Sequence, residues 1–193
     1  MNQFLPDNYE RPTSSGNYMK FTDGANKLRI LSTPIIGHEY WTKDKKPVRS
    51  REPFQGVPED AKLDEGKFKP KFFWAMAVWN YAAKAVQVLE ITQASIIGPI
   101  EELLVNSDWG DPREYDLTIN KKGEGLETEY SAQPSPEKPV PEEALTLLKA
   151  TQIDLEALYR SEDPFKGPAT VAVADEDQIA SSKPNDFKDF GEE

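Results

Sequence analysis

Apolar residues in this chain fall into short runs separated by turn residues, and most of the runs alternate. Leu28-Arg29-Ile30-Leu31 and Ile35-Ile36-Gly37-His38-Glu39-Tyr40-Trp41 are rich in β-branched and aromatic residues, with Pro34 between them. Both predict strands. Phe72 to Tyr81 and Ala85 to Thr92 are stronger still, joined by a short turn near Ala82-Ala83. In the first of these both faces are apolar: Phe72, Trp74, Met76 and Val78 on one, Phe73, Ala75, Ala77, Trp79 and Tyr81 on the other. A barrel strand needs only one buried face. The second face therefore calls for a cover, which the pattern leaves as the long loop, a partner subunit or a ligand.

The period then changes. Ile96, Ile97, Ile100, Leu103 and Leu104 lie at i, i+1, i+4, i+7 and i+8, one apolar stripe of a helix, with Pro99 suited to its first turn and Asn106 to Pro112 ending it. Tyr115 to Asn120 and Leu126 to Gln133 flank Lys121-Lys122-Gly123-Glu124-Gly125, a hairpin signature. Pro134, Pro136, Pro139 and Pro141 read as a stiff spacer. Residues 142–160 predict one broken or two short helices. The order is strand, strand, strand, helix, strand, strand. It predicts a mainly β fold with helices: an OB-fold-like five-stranded barrel with a long loop insertion at 43–70 and extra C-terminal helices. Other small β-barrels and an open α+β sheet share that order. The domain reading is a flexible N-terminal arm over 1–26 and an OB-like nucleic-acid-binding domain over 27–133. A Pro-rich linker with short helices follows over 134–165, then a disordered acidic tail over 166–193.

Composition narrows the chemistry. The chain has 193 residues and a formal net charge of -11, with no cysteine and one histidine. Disulfides and thiolate metal sites are excluded, zinc chemistry is close to excluded, and no cofactor is expected. No apolar run is long enough to span a membrane. Met1 to Asp7 lacks the order of a secretory leader, so a cytoplasmic location is the expectation. The charge is uneven. Residues 20–71 carry twelve Lys or Arg against eight Asp or Glu, a local +4, whereas 100–165 carry -10 and 166–193 carry -4.

That basic segment is also aromatic. Lys43, Lys45, Lys46, Arg49, Arg51, Lys69 and Lys71 are interleaved with Tyr40, Trp41, Trp74, Trp79 and Tyr81. Cations that follow a phosphate backbone, set among rings on which unpaired bases stack, are what a single-strand groove needs. The expectation is that these seven cations neutralise phosphates and that the rings supply stacking surfaces, some of them being core instead. The tail carries the reverse arrangement, Phe187 and Phe190 among Asp186, Asp189, Glu192 and Glu193. Those rings are expected to dock on a partner.

Two other readings compete. Asp108, Asp111 and Asp116 could hold Mg2+ as a nuclease would, although Asn, Asp, Gly and Pro are also the ordinary residues of a helix exit. An adaptor with an acidic working surface would instead bury the aromatic loop. His38 is isolated, and Gly123-Glu124-Gly125 is a turn and not a phosphate loop, because no helix follows. No catalytic constellation emerges, so no enzyme activity is expected.

Lys27 to Leu31, Ile36 to Trp41, Phe72 to Val78, Leu89-Glu90-Ile91 and Asp108 to Asp116 resemble tailed-bacteriophage single-stranded DNA-binding proteins. The likeness continues through Gly123, Gly125, Thr128 and Tyr130 to Pro134-Ser135-Pro136, spanning residues about 20 to 140. It implies an OB-fold replication protein that coats single-stranded DNA without sequence preference during phage replication or recombination. It also implies an acidic tail that contacts replication proteins, and is compatible with further copies of the chain along the strand.

Overall fold

The computed structural model describes residues 16–165. Most of the expected N-terminal arm and the acidic tail with Phe187 and Phe190 lie outside the described residues. Seven strands form one sheet: β1 (Gly24–Ile30), β2 (Ile35–Trp41), β3 (Pro47–Ser50), β4 (Lys71–Asn80), β5 (Ala85–Ile91), β6 (Tyr115–Lys122) and β7 (Glu129–Glu137). Every pairing is antiparallel, in the order β3-β2-β4-β1-β6-β7, with β5 also paired to β4. β1 and β2 run in succession along one edge of β4, Ile30 opposite Val78 and Ile35 opposite Ala75. They act as one long strand interrupted at Pro34. Among the described residues no ladder joins β5 to β7, so the sheet stays open where a closed barrel was expected.

The expected loop at 43–70 is more ordered than its composition suggests. β3 lies within it, and its return leg is tied to the end of β2, Lys43 N–H donating to Asp60 and Lys62 N–H to Trp41, both at 2.8 Å. Tyr40, Phe54 and Phe68 pack edge to face beneath it. Pro134 and Pro136, expected in a spacer, lie inside β7. That strand is at the sheet's edge, where a missing N–H breaks no ladder. Helix α1 (Ala94–Val105) begins earlier than expected and contains Pro99 in its interior. The orphaned carbonyl partner, Ser95, is on an exposed turn where water can satisfy it.

Two cores follow from the two apolar faces of β4. On the inner face Met76 and Val78 pack with Leu28, Ile30, Leu89, Ile91, Leu117 and Ile119, closed by Ile96, Ile97 and Ile100 of α1. On the outer face Phe73, Ala75, Ala77 and Trp79 meet Val86 and Val88. Their cover is the C-terminal segment: Ala144 and Leu148 of α2 (Glu142–Thr151), then Ile153, Leu155 and Leu158, the last two on the 3-10 helix Leu155–Arg160. Residues 142–160 are part of the packed body, and they cover this face in place of the long loop, partner subunit or ligand that the sequence pattern suggested.

Arg29 and Asp116, opposite one another on β1 and β6, are both fully buried on the outer face. Arg29 Nε donates to Asp116 Oδ1 at 2.8 Å, and its Nη1 donates to the Lys138 carbonyl at 2.9 Å. Tyr81 donates its hydroxyl to the same Oδ1 at 2.9 Å, while Lys27 and Lys138 reach Oδ2 at 3.1 and 2.6 Å. Burial pushes the Asp116 carboxyl up, yet the bonds from Lys138, Tyr81 and Lys27 and the Arg29 charge together hold it below the usual carboxylate range. Removing one partner strands a buried charge. Asp116→Leu should cost about 3–5 kcal/mol in urea unfolding, and Arg29→Met/Asp116→Leu should recover most of it. Equal losses in the single and double variants would contradict that account.

Candidate nucleic-acid interface

The expected site residues do not lie together. Trp79 is 2% exposed and belongs to the outer core, and Tyr40 is buried with its hydroxyl donating to Asp60 at 2.9 Å. Rings so enclosed have no open face on which a base could stack. Tyr81 is half-buried against Asp116, with Lys27 and Lys138 each over its ring. Burial and the neighbouring Asp116 carboxylate push its hydroxyl up to about 12. Trp74 lies on the opposite face in an apolar groove of about 400 Å³ with Ile36, Met76, Ile100 and Leu104, rimmed by Arg113.

Several cations are already engaged. Lys69 pairs with Asp64 and Glu65 across a turn. Arg51 pairs with Glu156 and lies 4.7 Å from the Tyr159 ring centre, on the edge of the helical cover. Lys43 donates to the Glu59 carbonyl at 2.6 Å. Lys71 opens β4 and is exposed, as are Lys45 and Lys46 in the β2–β3 turn.

What the fold does bring together is Trp41, Lys46 and Arg49. β2 and β3 pair with Trp41 opposite Pro47 and Glu39 opposite Arg49, which puts Trp41 and Arg49 on the outer face, and Lys46 from the turn before Pro47 joins them beside Tyr18 and Lys20. These residues line an open cleft of about 530 Å³ that also receives Glu90, Leu158 and Glu162. Trp41 is 46% exposed and Tyr18 38%. Tyr18 and Lys20 are contributions the sequence reading missed. They lie in the expected arm and are held here by an isolated bridge between Tyr18 and Val88, with Met19 N–H bonded to the Val88 carbonyl and Val88 N–H to the Asn17 carbonyl. No periodic signal marks a single bridge.

At the cleft floor Arg49 lies between two acids. Its Nη2 donates to both oxygens of Glu90 at 2.7 Å, its Nε is 3.4 Å from Glu39, and its guanidinium lies 5.6 Å from the Phe73 ring centre. Burial first, then the hydrogen bond and charge of Glu90, raise the Glu39 carboxyl to about 7 against the opposing pull of Arg49 and Lys71. Gly37 makes this geometry possible, because a Cβ there would stand 2.2 Å from the Ser50 carbonyl oxygen on β3.

The aspartates proposed for metal do not converge. Asp111 is taken up by Arg113, whose side chain holds its carboxyl below the usual range, Asp116 is in the buried ion cluster, and Asp108 is exposed in the turn. Among the described residues no three acids or histidines are grouped to hold a metal ion. No helix among them is long and apolar enough to cross a membrane.

Comparison with known proteins adds one likeness. The chain is 25% identical over 139 residues to the "Probable ssDNA-binding protein" of Escherichia phage T5, the match covering 60% of this chain and 54% of that protein. The chain thus spans about half the length of the curated relative it matches. No protein-family profile and no solved structure matches it.

Because the folded Glu39 binds its proton more tightly than its ordinary value near 4.5, its contribution to stability is complete in acid and is lost as pH rises through about 7. Urea unfolding between pH 5 and 8 should therefore carry a downward component of at most about 1.4 kcal/mol per pH unit. Glu39→Gln should remove it, and an unchanged slope in that variant would exclude Glu39 as its source. Gly37→Ala should push β3 from β2 and lower stability in urea unfolding, loosening the Arg49–Glu39 contact as it does so.

Proposed function

We propose that this protein binds single-stranded DNA in the outer cleft and has no catalytic role. The observation that carries the reading is the gathering of Trp41, Lys46 and Arg49 with Tyr18 and Lys20 in one open cleft, on a chain similar to a probable ssDNA-binding protein. Trp41 and Tyr18 offer ring faces for bases, and Lys20 and Lys46 neutralise phosphates, with Lys43 and Lys45 extending the cationic rim along the β2–β3 turn. Arg49 serves mainly to shape the floor, since two carboxylates already surround it.

The topology supports an OB-type ancestry. Read from β5 through β4, the joined β1 and β2, β6 and β7, with α1 between β5 and β6, the order is that of a partly open five-stranded barrel. Stacking and phosphate contacts read no sequence, so a coat laid on exposed strands during phage replication or recombination is the role we assign. Exposure of Trp41 counts against the adaptor alternative, which requires that aromatic segment to be buried.

Phe165 packs edge to face on Tyr18, ring centres 6.2 Å apart. Phe165 is the last described residue, and we assign Phe187 and Phe190, beyond it in the chain, to the docking of replication proteins.

Titration with oligo-dT at low salt should quench tryptophan fluorescence, and duplex DNA of equal length should not. Trp41→Ala should weaken binding about 5- to 150-fold, the worth of one stacked base. The log–log salt slope should be about -0.7 for each phosphate contact. Absence of both quenching and a gel shift would reject the reading. Removal of residues 166–193 should tighten oligo-dT binding if the acidic segment competes for the cleft, and unchanged affinity would leave it with partner docking alone.

A further inference from the structure

The ion cluster around Asp116 holds more positive charge than it needs. Asp116 Oδ1 accepts from Arg29 Nε and the Tyr81 hydroxyl, and Oδ2 lies at ion-pair distance from both Lys27 and Lys138. Three full cations thus face one full anion. Neither Glu114 nor Glu137, the acids nearest in sequence to Asp116 and Lys138, forms an ion pair with these lysines. The fully buried Arg29 retains one nitrogen, Nη2, that finds no acceptor among the described residues.

The arrangement of the two lysines is specific. Both ammonium groups sit on the same carboxylate oxygen, at 3.1 and 2.6 Å, so they are closer to one another than those two distances combined. Both also lie against one ring, 4.8 and 5.3 Å from the centre of Tyr81. Their side chains are 44% and 42% exposed, and each ammonium has further N–H donors beyond the one it gives to Asp116. Two cations held that close repel each other, and one shared carboxylate does not neutralise them. An anion with several oxygens, reaching both at once, would.

We propose that Lys27, Lys138 and Tyr81 form a phosphate-binding site, with buried Arg29 and Asp116 holding the two ammonium groups in place. The ligand class is a phosphoryl group, either a phosphodiester of a bound strand or a free phosphate such as that of a nucleotide. For the strand source the proposal rests on the function assigned above. The site lies on the same outer face as the Trp41 cleft: Arg49 packs on Phe73 and Lys27 on Tyr81, eight residues along β4 and its extension. At the rise of a strand the two are on the order of 25 Å apart. A strand bound in the cleft would have a second anchor across the helical cover.

Lys27→Gln/Lys138→Gln leaves Asp116 paired with Arg29 and Tyr81 and should remain folded. Lys84→Gln/Lys149→Gln, equal in charge, serves as the control. Two readouts are taken on the full chain: the melting temperature with inorganic pyrophosphate at fixed ionic strength, and the slope of oligo-dT binding across a series of salt concentrations. Pyrophosphate should raise the melting temperature of the wild type and of the control, and the lysine pair variant should lose that response. Its salt slope should be shallower by about 0.7 for each phosphate contact removed. Loss of the pyrophosphate response alone assigns the site to free phosphates, and a shallower slope alone assigns it to the strand. The proposal is overturned if neither readout separates the variant from the control. Should the wild type bind no oligonucleotide, the single-strand reading fails, and the pyrophosphate arm alone decides this site.

Discussion

The buried pair of Arg29 and Asp116 is the constraint on which the arrangement of the sheet depends. It joins β1 to β6, draws in the end of β4 through Tyr81, and fixes the segment after β7 through the Lys138 carbonyl. An ion pair removed from water contributes little net stability, since desolvation offsets the attraction. Its effect is on register. A slip of one residue between β1 and β6 would carry one charge into the apolar inner face, where no partner waits, and expose the other. In a sheet whose β5 and β7 edges are not joined, a polar tie of that kind does work that closure of a barrel would otherwise do.

Alternation along the same strands explains the rest of the architecture. Leu28 and Ile30 face inward while Arg29 faces outward, and Leu117 and Tyr115 face inward while Asp116 faces outward. Only β4 and β5 are apolar on both faces, and the C-terminal helical segment lies over them. The cover is centred on Phe73 to Trp79. It leaves the two ends of the outer face open, and at those ends lie the Trp41 cleft and the Lys27–Lys138 pair. Both proposed binding surfaces are thus what remains of a sheet face after its apolar middle has been buried.

The strands, the amphipathic helix and the Gly123 hairpin were legible because each is a local pattern of period or turn chemistry. Gly123 has a φ of +83°, and a Cβ there would stand 2.5 Å from the Glu127 carbonyl oxygen, so its turn is dictated at one position. The proline spacer was misread because Pro134 and Pro136 are tolerated on an edge, and edge position is a property of the whole sheet. The site was partly legible. Trp41 and Lys46 were expected and do share a cleft, whereas Trp79 and Tyr40, indistinguishable from them by residue type, are buried.

Residue order alone determined the β-rich character, the position of the helix, the absence of thiol chemistry and the basic aromatic segment set against an acidic whole. Those are properties of neighbours along the chain. Which of the aromatic rings would be open, and which cations would remain free of carboxylates, was decided only in the folded molecule. Arg49 met Glu90 from another strand, Arg51 met Glu156 from the helical cover, and Tyr18 reached Trp41 from outside the aromatic segment. Each pairing joins residues distant in sequence, and charge compensation and burial are sums over such neighbours in space.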